Sequence, residues 1–440
     1  MTTTAPFCDE ARARTRGEDR SVRARGAEGA GALGTTADTA STAGHGGPAG
    51  DVEVRRRDRR RESLEWRARL WSWTSLERLR NCGRVTSTGI GGPVLRVSEG
   101  PDGSRRAGVA GLQSCGSPWS CPVCARKIAA ERAAEVRDVL GAVAETGGSI
   151  HLLTFTMRHH RRQSLAELWD ALSRAWRAVT SGRSVERERD RWGVLGMVRV
   201  VEATHGEHGW HLHVHALIAF DTPVSRELVA ELGGAMFGRW ERALVRTGLA
   251  APLEHRGGLD VRPVDLGTGS LDAMAEYLAK ITVEITGSAA KAGRRGNRTP
   301  FAILRDALAT GLADDVELWL EWEQVSRGRR QIAWSRGFRE WAGAQRERTD
   351  DEIAADDRCG QNLLTIDPED WPQVRDRLAE LLDATERDGL TGATAWLTAH
   401  GLRWSSATPR RHPPRPPGQR TAPGARSILS LPATTTGAQL

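Results

Sequence analysis

Apolar positions in the middle of the chain switch between a two-residue and a 3.6-residue period, and the switches mark out elements. Ile150 to Met157 (IHLLTFTM) reads as a strand. Ser164 to Val179 carries Leu165, Leu168, Trp169, Leu172, Trp176 and Val179 at helical spacing, with Ser164 placed as the N-cap. Gly196 to Thr204 and His211 to Phe220 read as two more strands. The stretch between them, His205-Gly206-Glu207-His208-Gly209, has the glycines of a hairpin turn. A helix near Ser225 to Thr247, a strand near Leu259 to Val264 and a helix from about Ser270 to Ile285 follow. Strands that can pair antiparallel, with helices between them, predict an α+β fold: an antiparallel sheet with flanking helices.

The ends read differently. Residues 1 to 62 alternate Arg/Asp/Glu patches with an Ala/Gly/Thr/Ser stretch, a composition that buries too little apolar surface to offset ordering entropy, so a disordered arm is expected there. Thr408-Pro409-Arg410-Arg411-His412-Pro413-Pro414 opens a basic, proline-rich tail, and residues 406–440 are expected to be extended and solvated. With 440 residues the chain has room for two or three domains, and 16 Trp place a folded centre between these ends. A net charge of +7 fits a polyanionic partner, although mixed runs of both signs also fit a solvated arginine-rich surface. No stretch of about 18 apolar residues and no apolar leader core follow the first methionine, so a soluble, cytoplasmic protein is expected. Thiols stay reduced in that compartment, which favours cysteines as metal ligands over disulfides.

Three constellations carry chemistry. On a strand, His211, His213 and His215 share one face, so two or three imidazoles can converge on one ion, with Glu202 of the preceding strand as a carboxylate ligand. Imidazole and carboxylate together suit Mn²⁺ or a transition metal, or Mg²⁺ with waters completing the shell. The same pattern also fits a half-buried sheet with polar outer positions. Tyr277, the only tyrosine, lies three residues before Lys280, one of three lysines, and that spacing puts both on one side of a helix. A phenol with a pKa of about 10 needs help to act as a nucleophile, and a histidine-bound cation can polarise its target. Cys82, Cys115, Cys121 and Cys124 form C-x32-C-x5-C-x2-C, which suits a closed four-thiolate structural Zn²⁺ site; a redox pair and ordinary buried cysteines are the other readings. Cys8 and Cys359 lack partners. Lys291, Arg294, Arg295 and Arg298, with Arg329 and Arg330 further on, are candidate DNA-phosphate contacts interleaved with tryptophans.

In this order, the pieces resemble the rolling-circle replication initiators of actinomycete plasmids, members of the HUH endonuclease superfamily. The matching stretches are Cys115 with Cys121-Pro122-Val123-Cys124-Ala125-Arg126-Lys127-Ile128, Leu153-Thr154-Phe155-Thr156, Gly209-Trp210-His211-Leu212-His213-Val214-His215 and Tyr277-Leu278-Ala279-Lys280. Gly296-Asn297-Arg298-Thr299-Pro300-Phe301 and Ile332-Ala333-Trp334-Ser335-Arg336-Gly337 extend the resemblance, which covers about residues 78 to 345. It implies a sheet-centred HUH-type nuclease domain, placed over 146–290; beside it the chain is expected to divide into a helical, Cys-rich zinc-binding region over 63–145, a basic DNA-contacting extension over 291–345 and a small helical region over 346–405. It further implies a nickase at the plasmid origin that attacks through Tyr277, keeps a 5′-phosphotyrosine link and leaves a 3′-hydroxyl primer, with His213 and His215 as the metal pair. Many related initiators carry a tyrosine directly after the helix lysine, where this chain has Ile281, so either Tyr277 acts, as in the Tyr-x-x-Lys pattern of other superfamily members, or the chain is inactive. With one tyrosine, ending a round needs another nucleophile: water activated by Glu276 or Asp272, or Tyr277 of a second subunit in a homodimer. The chain has no G-x-x-x-x-G-K-[ST] phosphate loop, so a host helicase and a single-strand-binding protein are expected partners. A conjugative relaxase or single-strand transposase, a non-catalytic zinc-dependent DNA binder and a phosphodiesterase without a covalent intermediate are the alternatives.

Overall fold

The computed structural model describes residues 49–87, 91–100, 103–266, 297–344, 346–357 and 360–407. The predicted helix over 270–285, and with it Tyr277, Lys280 and Glu276, lies outside the described residues, as do Asp272, Lys291, Arg294 and Arg295.

A five-stranded, wholly antiparallel sheet forms the centre, in the order β6-β3-β5-β4-β7. The strands are β3 (Ser149–Thr156), β4 (Val194–Gly206), β5 (Gly209–Phe220), β6 (Leu259–Val264) and β7 (Ile332–Trp334). Four of them fall where the alternation predicts; β7 is an edge strand too short to show a period. On one face α4 (Leu165–Thr180), α6 (Arg226–Arg246), α7 (Pro300–Thr310) and α8 (Ala313–Ser326) enclose a core rich in large aromatics, among them Phe155, Trp169, Trp240, Phe301, Trp319 and Trp322. The cap of α4 is as predicted: Ser164 Oγ accepts from the Glu167 backbone and Glu167 returns the bond, a complete capping box. α5 (Arg183–Arg191) is tied to α6 through Glu188 and Arg239, 2.8 Å apart. On the opposite face, the second half of α3 (Pro122–Glu145) lays Val136, Val139, Leu140 and Val143 over Leu152, Leu217, Val198 and Val200, with Phe338 of α9 (Phe338–Trp341) alongside.

A second antiparallel sheet, ordered β2-β1-β8-β9, is made from β1 (Val94–Glu99), β2 (Arg105–Ala110), β8 (Gln361–Ile366) and β9 (Trp404–Ser406). The small helical region expected over 346–405 also contributes strands to this sheet: β8 pairs with β1, over 260 residues earlier, while α11 (Trp371–Asp376) and α12 (Leu378–Ala399) pack against it. Pairing at that separation leaves no local mark in the sequence. The arm expected over 1–62 is likewise shorter, because α1 (Ala49–Trp73) begins within it. Arg56 and Arg60 of α1 meet the buried Glu386 of α12 at 2.5 Å each, and Arg61 reaches Asp383 at 2.8 Å. Carboxylates some 320 to 330 positions away thus order a stretch that composition alone marks as too polar to fold. No helix among the described residues is long and apolar enough to cross a membrane.

Candidate active site and metal centres

The turn between β4 and β5 sets the site. Gly206 pairs with Gly209 across the two residues Glu207 and His208, and a connection this tight fixes the register of both strands. In that register Glu202 stands directly opposite His213, and Thr204 opposite His211. On the other side of β5, Thr154 stands opposite His215 and Thr156 opposite His213. The face of β5 that buries Ala219 and Leu217 under α3 continues as His215, His213 and His211, so the histidines occupy the stretch where the apolar cover ends.

Side-chain geometry brings the predicted residues together. Glu202 Oε2 accepts from His215 Nε2 at 2.7 Å and lies 4.0 Å from His213 Nε2. His215 Nδ1 is 3.1 Å from the Thr154 hydroxyl, which can donate or accept and so suits either tautomer. His213 Nδ1 is buried with no hydrogen-bond partner among the described residues. Burial pushes the His213 imidazole down to about 4 and His211 down to about 2, so both rings are neutral at pH 7 and keep a lone pair for a cation. Burial pushes Glu202 up, but the His215 hydrogen bond and the fields of His213 and His215 outweigh it and hold the carboxyl at about 2. Neutral imidazoles, an ionised carboxylate and an orphaned buried nitrogen fit a divalent cation. The bond between His215 and Glu202 closes the set on itself, and a cation seated there would have to open it.

One residue of this site escaped the sequence reading. His159, in the loop after β3, places Nε2 2.5 Å from His211 Nδ1 and Nδ1 3.0 Å from the His208 carbonyl. Burial lowers the pKa of His159, so its ring is neutral, and since a carbonyl only accepts, Nδ1 carries the proton and Nε2 accepts from His211. His211 is thereby oriented with Nε2 unprotonated. The available signal was a second histidine pair, His159-His160, directly after a strand that neighbours the histidine strand.

The back of the hairpin is held by aromatics. Trp210 donates from Nε1 to Glu321 at 2.7 Å and stacks on Trp322 with centroids 5.5 Å apart, while the other Glu321 oxygen accepts from the Leu165 backbone. Trp322 in turn meets Trp119 edge to face at 5.5 Å, and Trp119 belongs to the loop between Cys115 and Cys121.

The four predicted cysteines converge. Cys82, which follows α2 (Glu77–Asn81), has Sγ 3.7 Å from Cys121 and 3.5 Å from Cys124, and Cys115 lies 3.7 Å from Cys124. They are the one group among the described residues whose ligand atoms all lie within 4.8 Å of one another. A disulfide would bring sulfurs to about 2.05 Å. A tetrahedral cation with metal–sulfur bonds of about 2.3 Å would hold them about 3.8 Å apart, so the donor set fits a four-thiolate metal site. Local sequence builds the knuckle. Cys121 is the N-cap of α3, with Pro122 in its first turn and the Cys124 amide 3.5 Å from Cys121 Sγ. Gly83, at φ +65°, follows Cys82 where a Cβ would meet the Arg67 guanidinium at 2.2 Å. Hydrogen bonds from Cys115, Cys121 and Cys124 hold the Cys82 thiol well below its ordinary range. Ile353 and Ala354 of α10 (Asp350–Ala354) cover the cluster.

Of the predicted DNA contacts within the described residues, Arg298 is engaged by Asp315 at 2.7 Å and Asp306 at 3.2 Å, and its backbone pairs with that of His205 beside the hairpin turn. Arg329 is engaged by Asp170 at 2.9 Å and lies over the Trp169 ring. Arg330 is exposed.

A family model described as "Replication protein" matches residues 108–226, a span that holds three of the cysteines, β3, Glu202 and all three histidines of β5, but not Tyr277. The chain is 29% identical over 352 residues to "Protein rep" of Streptomyces lividans, covering 64% of this chain and 77% of that protein. It is 33% identical over 133 residues to "Neomycin resistance protein" of Streptomyces cyanogenus, covering 24% of this chain and 30% of that one. No solved structure matches the chain. The matched family model, the Streptomyces relative and an antiparallel sheet carrying a histidine pair with its carboxylate agree, and the chain is similar to replication proteins over this part of its length.

Proposed function

We propose that this protein nicks one strand at the double-strand origin of its plasmid and starts rolling-circle synthesis. Tyr277 is the nucleophile: its phenolic oxygen forms a bond to the scissile phosphorus, the bond to the 3′-oxygen breaks, and the phenolic proton ends on that oxygen. The products are a 5′-phosphotyrosine link and a free 3′-hydroxyl primer. The observation that carries the reading is the single sheet face on which His213, His215 and the ionised Glu202 meet.

Mg²⁺ or Mn²⁺ bound there supplies charge neutralisation on the phosphate. His213 and His215 offer neutral ring nitrogens, Glu202 offers the carboxylate, and His211, oriented by His159, lines the same face. Lys280 steadies the phenolate or a phosphate oxygen, and Glu276 or Asp272 activates the water that ends a round, unless a second subunit's Tyr277 does so in a homodimer. The segment that carries these residues leaves the described chain at Leu266, just past edge strand β6, and rejoins it at Asn297, one residue before the Arg298–His205 bridge at the hairpin turn. Both flanks thus belong to the sheet that bears the histidines. Zn²⁺ on Cys82, Cys115, Cys121 and Cys124 is structural, since four protein ligands leave no open position. A host helicase and single-strand-binding protein supply unwinding and strand protection.

The test is a covalent adduct. Wild-type protein with Mn²⁺ and labelled single-stranded origin DNA is expected to give a band that survives denaturing electrophoresis, and Tyr277→Phe to give none. Cleavage by both proteins without an adduct would replace the nucleophile with activated water and make the protein a phosphodiesterase.

A further inference from the structure

The loop between β3 and α4 is prominent once the site is assembled. It leaves the sheet directly after Thr156, the last residue of β3 and the one opposite His213, so it borders the histidine face. It is tied down on both sides: His159 bonds the His208 carbonyl at the hairpin turn and His211 on the strand. The turn also receives the loop backbone closely. Gly209 has φ +85°, and a Cβ there would lie 3.0 Å from Arg161 Cα, so both conformation and space call for glycine. Inside the loop, the His160 amide donates to Gln163 Oε1 at 2.9 Å, and the Gln163 amide donates to the His160 carbonyl at 3.0 Å.

From this fixed loop Arg158, Arg161 and Arg162 point into solvent. No ion pair engages any of the three among the described residues, in contrast to Arg298 and Arg329, which carboxylates hold. Three unneutralised guanidiniums on a pre-ordered loop beside a phosphate-cutting site present donors that match phosphate oxygens. Because the loop is already ordered, little conformational freedom is lost when they bind. We propose that Arg158, Arg161 and Arg162 grip the phosphates of the DNA strand that enters the histidine face, and that His159 keeps this grip in register with the metal-binding strand. The inference rests on the nickase reading above and adds to it a strand-positioning surface separate from the 291–330 arginines.

Fluorescence anisotropy of a labelled single-stranded oligonucleotide, titrated without divalent cation across a salt series, tests it. Each phosphate contact to a single strand contributes roughly 0.7 to the slope of log affinity against log salt, so Arg161→Ala/Arg162→Ala is expected to bind more weakly at low salt with a slope shallower by about 1.4. Both side chains are exposed, and a melting curve matching that of wild type verifies the fold. A slope equal to that of wild type, in a preparation whose wild-type counterpart still forms the Tyr277 adduct, overturns the loop assignment and leaves the nickase standing. A wild-type protein with neither salt-dependent binding nor adduct overturns both.

Discussion

At the scale of single residues, the site depends on groups that can change roles. Thr154 is the clearest case, because its hydroxyl donates to His215 Nδ1 while that ring's Nε2–H is given to Glu202, yet would accept from Nδ1 if a cation took Nε2. Valine at 154 keeps the shape and the β-branch but can do neither. Thr154→Val is therefore expected to raise the Mn²⁺ concentration for half-maximal adduct formation by about 10–100-fold, the usual effect of removing a hydrogen bond behind a metal-binding histidine. An unchanged Mn²⁺ dependence would mean that His215 is not held through Thr154. His159 acts in a similar way on His211, and the two rings are readable as a pair only because the hairpin register brings them to 2.5 Å.

At the scale of elements, α1 shows how a strongly polar segment becomes part of the fold. Glu53 bonds Arg56 at 2.6 Å and Arg57 at 2.9 Å within the helix, and lies 3.5 Å from Arg106 of β2. The hydrogen bond from Arg56, with further help from Arg57 and Arg106, overcomes partial burial and holds its carboxyl at about 2, against 4.5 for the free group. A carboxyl with a depressed folded-state pKa adds stability that is complete above the unfolded value and disappears as pH falls to the folded one. Wild type should therefore melt higher than Glu53→Gln at pH 6, and the gap should narrow below about pH 4.5 and close near pH 2. Thermal unfolding followed by circular dichroism at several pH values measures the gap; a constant difference would show that the charge of Glu53 is irrelevant to α1.

At the scale of the whole molecule, the cysteine cluster and the histidine strand share one packed aromatic path, from Trp119 in the cysteine loop through Trp322 to Trp210, next to His211. Removing a metal from the cluster is expected to loosen Trp119, which is 1% exposed, and to shift tryptophan emission to longer wavelength. Wild type should release about one zinc per chain on thiol blocking, and Cys121→Ser should lack it, because structural zinc needs all four ligands. Emission that stays fixed while zinc is released would separate the cluster from this path.

The sequence by itself determined the strands and helices with strong periods, the capped start of α4 and the shared face of His211, His213 and His215, and it picked out the four cysteines as a candidate ligand set by their spacing. These follow from alternation, helical spacing and local capping chemistry, which act within a few residues. It also singled out Tyr277 and Lys280, which lie outside the described residues. Only the tertiary structure decided that Glu202 faces His213, that His159 orients His211, that β8 completes a sheet with β1, and that α1 is ordered by Glu386. It also showed Arg298 and Arg329 held by carboxylates, while Arg158, Arg161 and Arg162 stand free of ion pairs with any described residue. Strand register, long-range pairing and the neutralisation of one charge by another depend on which distant residues the fold brings within a few ångströms, and no local pattern in the chain encodes that distance.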